Sequence, residues 1–154
     1  MKGMTHVFFG IAFVSILILY FNLSIVYWGV GTFIIAPFFS CLPDKDQKIA
    51  RITFNQIVPH RGKTTHNLLY GLPILLIFTL EKNTLFGGII STLLVSIFGG
   101  LFANALIDAL NYSGVWIGIV RTKGFLKWDS LIGNIGLKLI GLILLLISVT
   151  NILY

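Results

Sequence analysis

Apolar residues fall into five blocks, and polar residues are confined almost entirely to the connections between them. The blocks run from Thr5 to Phe21, Leu23 to Leu42, Asn67 to Leu80, Leu85 to Leu110 and Leu131 to Leu153. A membrane-spanning helix takes about 20 residues, within a range of roughly 17–25. The third block is short by that measure, and Pro73 inside it predicts a kink because proline lacks the backbone donor. The pattern predicts an all-α fold: a polytopic membrane helical bundle of about five transmembrane helices, forming a single domain over residues 1–154. Asn83-Thr84 and Asp129-Ser130 supply N-cap oxygens before the fourth and fifth helices. Small residues, among them Gly99, Gly100, Ala103, Gly133 and Gly136, let those helices approach closely where no hydrophobic effect drives association.

Composition supports this reading. Of 154 residues, 56% are hydrophobic and only 10% charged, whereas soluble domains carry about 25% charged residues. So few charges would leave most of the surface unsuited to water. Cys41 is the lone cysteine, so no intrachain disulfide forms. The first block resembles a signal peptide, with Lys2 as its basic end, but no small-residue cleavage site follows it. Phe21-Asn22-Leu23 leads straight into the next block, so a retained helix is expected.

The connections are unequal. Asn22 and the stretch from Glu81 to Thr84 are tiny; the loops 43–66 and 111–130 are long. Lys2, Lys45, Lys48, Arg51, Arg61, Lys63, Arg121, Lys123 and Lys127 all fall at the N-terminus or in the long loops, which leaves only Lys82 and Lys138 elsewhere. The positive-inside rule places that side in the cytoplasm, with the N-terminus, and the expected location is a cell (inner or plasma) membrane, multi-pass. The charge of +6 is thereby explained by topology. Gly62-Lys63-Thr64 looks like the end of a P-loop, but Ile57 stands where the first glycine belongs. No nucleic-acid partner is expected.

Placed by depth, the ionisable residues collect at the same side. His6 begins the first helix, Asp44 and Asp46 follow the second, His60 and His66 precede the third, and Asp108 ends the fourth. Each has an ordinary reading as an interfacial or loop residue. Asp108 is the hardest to explain so, because it continues an unbroken apolar run, and a carboxylate at the centre of a spanning helix costs about 2.5–3.5 kcal/mol. Asn104 and Asn111 extend its polar face. Imidazoles and carboxylates together have the chemistry of a divalent metal site, Zn or Mn foremost. Such a cation would offset repulsion among Asp44, Asp46 and Asp108 and lower the pKa of a coordinated water. Arg61 and Lys63 suit an anionic substrate such as a phosphate ester.

Four motifs then appear in order: Thr5-His6 with Gly10, Leu42-Pro43-Asp44-Lys45-Asp46, His60-Arg61-Gly62-Lys63-Thr64-Thr65-His66, and Asp108-Ala109-Leu110-Asn111 leading to Gly114-Val115. Their order resembles the YdjM-like family of inner-membrane, metal-dependent hydrolases, some of them LexA-regulated. The resemblance implies His6, Asp44, Asp46, His60, His66 and Asp108 as metal or catalytic residues, and phosphoester hydrolysis by a further likeness to zinc-dependent phospholipase C and P1 nuclease. This chain departs from the pattern in two ways. Gln47 replaces a common histidine, and the His60 to His66 spacing is one residue longer.

The expected function is therefore a membrane-embedded hydrolase acting on a phosphoester, lipid esters included, at the cytoplasmic face. His6, Asp44, His66 and Asp108 would hold the metal, Asp46 and His60 would serve as catalytic groups, and Arg61 and Lys63 would bind the substrate. The alternatives are a non-catalytic metal-binding membrane protein and a small transporter. A transporter fits less well, since no ionisable residue except Lys138 lies near midplane. Gln47 to Val58 predicts a short interfacial helix. Trp116, Phe125 and Trp128, interleaved with Arg121, Lys123 and Lys127, suit a headgroup layer and make membrane lipids the expected partners. Nothing in the pattern specifies an oligomeric state.

Overall fold

The structure, a computed structural model, describes residues 3–46, 48, 52, 62, 65–111, 114–124 and 131–153. Helix α1 spans Gly3–Tyr20. The chain reverses at Asn22, whose φ of 54° lies in the left-handed region that asparagine tolerates. The return is one rod built of three helical segments, α2 (Ile25–Val30), a π-helical turn (Gly31–Ile35) and α3 (Ala36–Cys41), followed by a 3₁₀ turn at Pro43–Lys45. Ser24 caps the rod by accepting from the Val26 N–H. The wide turn falls just before Pro37, which has no N–H to offer and whose ring collides with an α-helical carbonyl four residues back. There the Ala36 N–H donates to the Gly31 carbonyl instead.

The third apolar block forms a 3₁₀ helix, Leu68–Thr79. At about 2.0 Å per residue its 12 residues reach about 24 Å, against about 18 Å for an α-helix. The tighter helix thus brings a short segment nearer the roughly 30 Å of a hydrocarbon core. Pro73 sits inside this continuous run, where the sequence predicts a kink. Thr84 caps α4 (Leu85–Leu110) as expected, its hydroxyl accepting from the Gly87 N–H. The last helix, α5, spans Leu131–Leu153.

Strands β1 (Val115–Ile117) and β2 (Val120–Thr122) pair antiparallel across a two-residue turn. This hairpin is a small addition to a fold that is otherwise mostly helical, as expected. Alternating β-branched and aromatic residues around Gly118, whose φ is 60°, give it a local cause. The expected interfacial helix from Gln47 to Val58 lies mostly outside the described residues.

Helices α1 and α4 form the centre. Helix α1 packs on α3, α4 and α5, and α4 also on the 3₁₀ helix. The interior is small and hydroxylic as well as apolar. Ser15, Thr32, Ser91 and Ser96 are fully buried beside Val14, Ile18 and Val95, and the Trp28 Nε1–H donates to Ser15 Oγ at 2.8 Å. Large side chains such as Phe33, Phe38, Leu75, Phe78, Ile143 and Leu146 point outward. That is the reverse of a water-soluble domain and suits association with a membrane. Three helical stretches are long and apolar enough to cross one: Val26–Lys45, Leu85–Leu110 and Gly133–Asn151.

Candidate metal centre

Three helix ends converge in registered layers. Gly10 of α1, Ser40 of α3 and Asn104 of α4 meet in one layer: a Cβ on Gly10 would lie 2.6 Å from Ser40 Cβ, and the Asn104 side-chain N–H donates to the Ser40 carbonyl at 2.8 Å. His6, Asp44 and Asp108 each lie four residues from those positions, toward the same end of the bundle. Four residues is one helical turn, so a second layer forms on the first. Its ligand atoms all lie within 4.8 Å of one another.

The contacts form a chain of alternating carboxylates and imidazoles. His6 Nδ1 is 2.6 Å from Asp44 Oδ2. His6 Nε2 is 3.6 Å from Asp108 Oδ1, and Asp108 Oδ2 is 2.7 Å from His66 Nδ1. His66 Nε2 is 3.4 Å from Asp46 Oδ2, which also accepts from the Thr65 hydroxyl at 2.8 Å. His6, Asp46, His66 and Asp108 are buried, while Asp44 is partly open to solvent. Thr5, beside His6, donates to Asn134 Oδ1 at 3.0 Å and so ties this end of α1 to α5.

His66 is positioned by the hairpin. The Trp116 N–H donates to the His66 carbonyl at 2.9 Å. The neighbouring Asn67 side chain both donates to the Gly118 carbonyl and accepts the Gly118 N–H. Burial alone would lower the basicity of His66, but the Asp108 and Asp46 carboxylates outweigh it and hold its pKa up at about 9.

The atoms present fit a divalent cation. A carboxylate only accepts, so the short contact to Asp44 puts the hydrogen of a neutral His6 on Nδ1 and turns the Nε2 lone pair toward Asp108. Nε2 and the Asp108 oxygen would then face each other as two acceptors. His6 Nε2, both ring nitrogens of His66 and both oxygens of Asp108 are buried without a hydrogen-bond partner. Even the 2.7 Å His66–Asp108 approach lacks hydrogen-bond alignment. Ligands about 2.1 Å from a tetrahedral ion lie about 3.4 Å apart, close to the 3.6 Å between His6 Nε2 and Asp108 Oδ1. Imidazole nitrogen and carboxylate oxygen are both donors that divalent metals take.

Five residues expected from sequence, His6, Asp44, Asp46, His66 and Asp108, are thus brought together. His60, Arg61 and Lys63 lie outside the described residues. Sequence reasoning missed Thr65, Asn67 and Ser40. Thr65 is adjacent to His66, but Asn67 and Ser40 act through backbone groups of distant segments, which no local pattern marks. Comparison with family models, with curated proteins and with solved structures finds no match to this chain.

Proposed function

We propose that this chain is a multi-pass membrane protein that binds a divalent metal, Zn or Mn, and hydrolyses a phosphoester at one membrane face. Five helices cross the bilayer in this reading, with the N-terminus in the cytoplasm and the metal layer at the cytoplasmic end. The motif order supports a place among the YdjM-like hydrolases. The observation that carries the proposal is the stacked layer of His6, Asp44 and Asp108, in which His6 Nε2 and both Asp108 oxygens converge, buried and without hydrogen-bond partners.

His6 Nε2, His66 and Asp108 would hold the metal. Asp44, on the far nitrogen of His6, fixes the ring and its tautomer, as carboxylates do behind metal-binding histidines. Its partial exposure also lets it serve as a ligand facing solvent. Asp46, oriented by Thr65, is placed to hold or move a proton beside His66. A bound divalent cation lowers the pKa of water and stabilises charge on a phosphoryl oxygen. Arg61 and Lys63, with His60, complete the proposed anion-binding and catalytic set.

Elemental analysis of detergent-purified protein tests this, beside a His66→Ala, Asp108→Ala double variant. Stoichiometric metal in the wild type, lost in the variant, is the expected result. Wild-type protein without metal after loading and washing would overturn it.

A further inference from the structure

A groove of about 540 Å³ runs along the outside of the bundle between α1, the 3₁₀ helix and α4. Its floor includes Phe13, Leu17 and Ile74, and its lining is almost wholly apolar. Leu72, Leu75 and Phe78 form a rim more than half exposed, so the groove is open to the side. Gly71 lets the 3₁₀ helix close on the Phe102 ring, which a Cβ there would meet at 3.1 Å.

One end of the groove lies toward the candidate metal centre. Leu68 and Ile117 line its head. Leu68 is two residues from His66, and Ile117 follows Trp116, whose N–H holds the His66 carbonyl. Phe102 precedes Asp108 by six residues, about 9 Å along α4. From Leu68 to Phe78 the groove extends about 20 Å along the 3₁₀ helix, more than the roughly 15 Å of one hydrocarbon leaflet. A site that would draw a phosphate once it holds its metal thus lies toward the head of an apolar channel that one lipid tail can fill.

Resting on the hydrolase reading above, we infer that the substrate is a membrane lipid phosphoester, with its phosphate at the His6–Asp44–Asp108 layer and one hydrocarbon tail in this groove. Hydrolysis bonds the water oxygen to phosphorus and breaks the ester P–O bond, and the lipid alcohol leaves with a proton from that water. The surrounding bilayer is as apolar as the groove, so the groove supplies little net affinity. What it supplies is register: a tail held along the 3₁₀ helix sets the depth of the phosphate. Occupancy should therefore depend on the headgroup.

The test uses the full chain, loaded with Zn²⁺ in nanodiscs, and a phosphonate analogue of phosphatidic acid carrying a diazirine on one acyl chain. The control probe is a diacylglycerol with the same chain. After photolysis, peptide mass spectrometry locates the labelled residues. The phosphonate should label the 3₁₀ helix severalfold more than the outward face of α5 at Ile143 and Leu146, and the diacylglycerol should label both alike. Leu72→Trp and Leu75→Trp, each at an exposed rim position and checked for retained metal, should remove the enrichment; Ile143→Trp should not. Metal present but labelling even for both probes would mean ordinary surrounding lipid and would overturn this inference alone. No metal in the same preparation would overturn both readings.

Discussion

Gly10 and Ser40 touch so closely that a single methyl group between them would fall 2.6 Å from Ser40 Cβ. That contact sets the distance between α1 and α3 one turn behind His6 and Asp44. Gly10→Ala should therefore force the helices apart, at about 1–3 kcal/mol for overpacking. Metal retention should drop together with thermal stability in detergent. Full retention of metal would show that the layers are not mechanically coupled.

Asp108 faces both histidines, one with each oxygen. Asp108→Ala leaves the two rings without the group between them. The metal-free variant should lose about 3–5 kcal/mol, the usual cost of removing one partner of a buried charge pair, and it should bind no metal. Asp108→Asn, which keeps the shape, should recover much of the stability and none of the metal. Chemical denaturation alongside metal content separates the two effects.

The raised basicity of His66 gives opposite pH trends to the metal-free and metal-bound forms. Its pKa stands at about 9 in the fold, above its ordinary 6.5. In the metal-free protein the stabilisation is present in full below about pH 6.5 and is lost as pH rises through about 9. Metal competes with that proton, so affinity should climb over the same interval, by about tenfold per pH unit for one displaced proton. Competition against a chromophoric chelator from pH 6.5 to 9 measures it; a flat profile would remove His66 from the ligand set.

Asn67 clamps the hairpin turn through both of its side-chain groups. Asn67→Ala should cost about 1–2 kcal/mol for the lost hydrogen bonds and loosen the strand that holds His66. Faster hydrogen exchange at Trp116, with exchange in the centre of α4 unchanged, is the expected signature.

Much of this was legible in the residue pattern, for identifiable reasons. The fourth and fifth apolar blocks coincide with α4 and α5 to the residue, because polar residues bracket each apolar run in the sequence and Thr84 caps α4. His6, Asp44 and Asp108 stood out because ionisable groups are costly in such surroundings. What the pattern missed depends on partners far away in sequence. The 3₁₀ form of Leu68–Thr79 reads like any short apolar helix, and the hairpin at Val115–Thr122 is hidden in a basic, aromatic loop. Ser40 orders the site through its carbonyl, a group every residue has.

One consequence of the layered arrangement concerns the order of assembly. Every described residue of the carboxylate–imidazole chain lies between His6 and Asp108, and α5 contributes none. Chains are made from the N-terminus, so the cluster can close while the last helix is still being synthesised. The Thr5–Asn134 hydrogen bond then acts as a late latch on a centre already formed. A chain truncated after Thr122 would carry the whole described cluster, and would lose that latch together with the packing of α5 on α1.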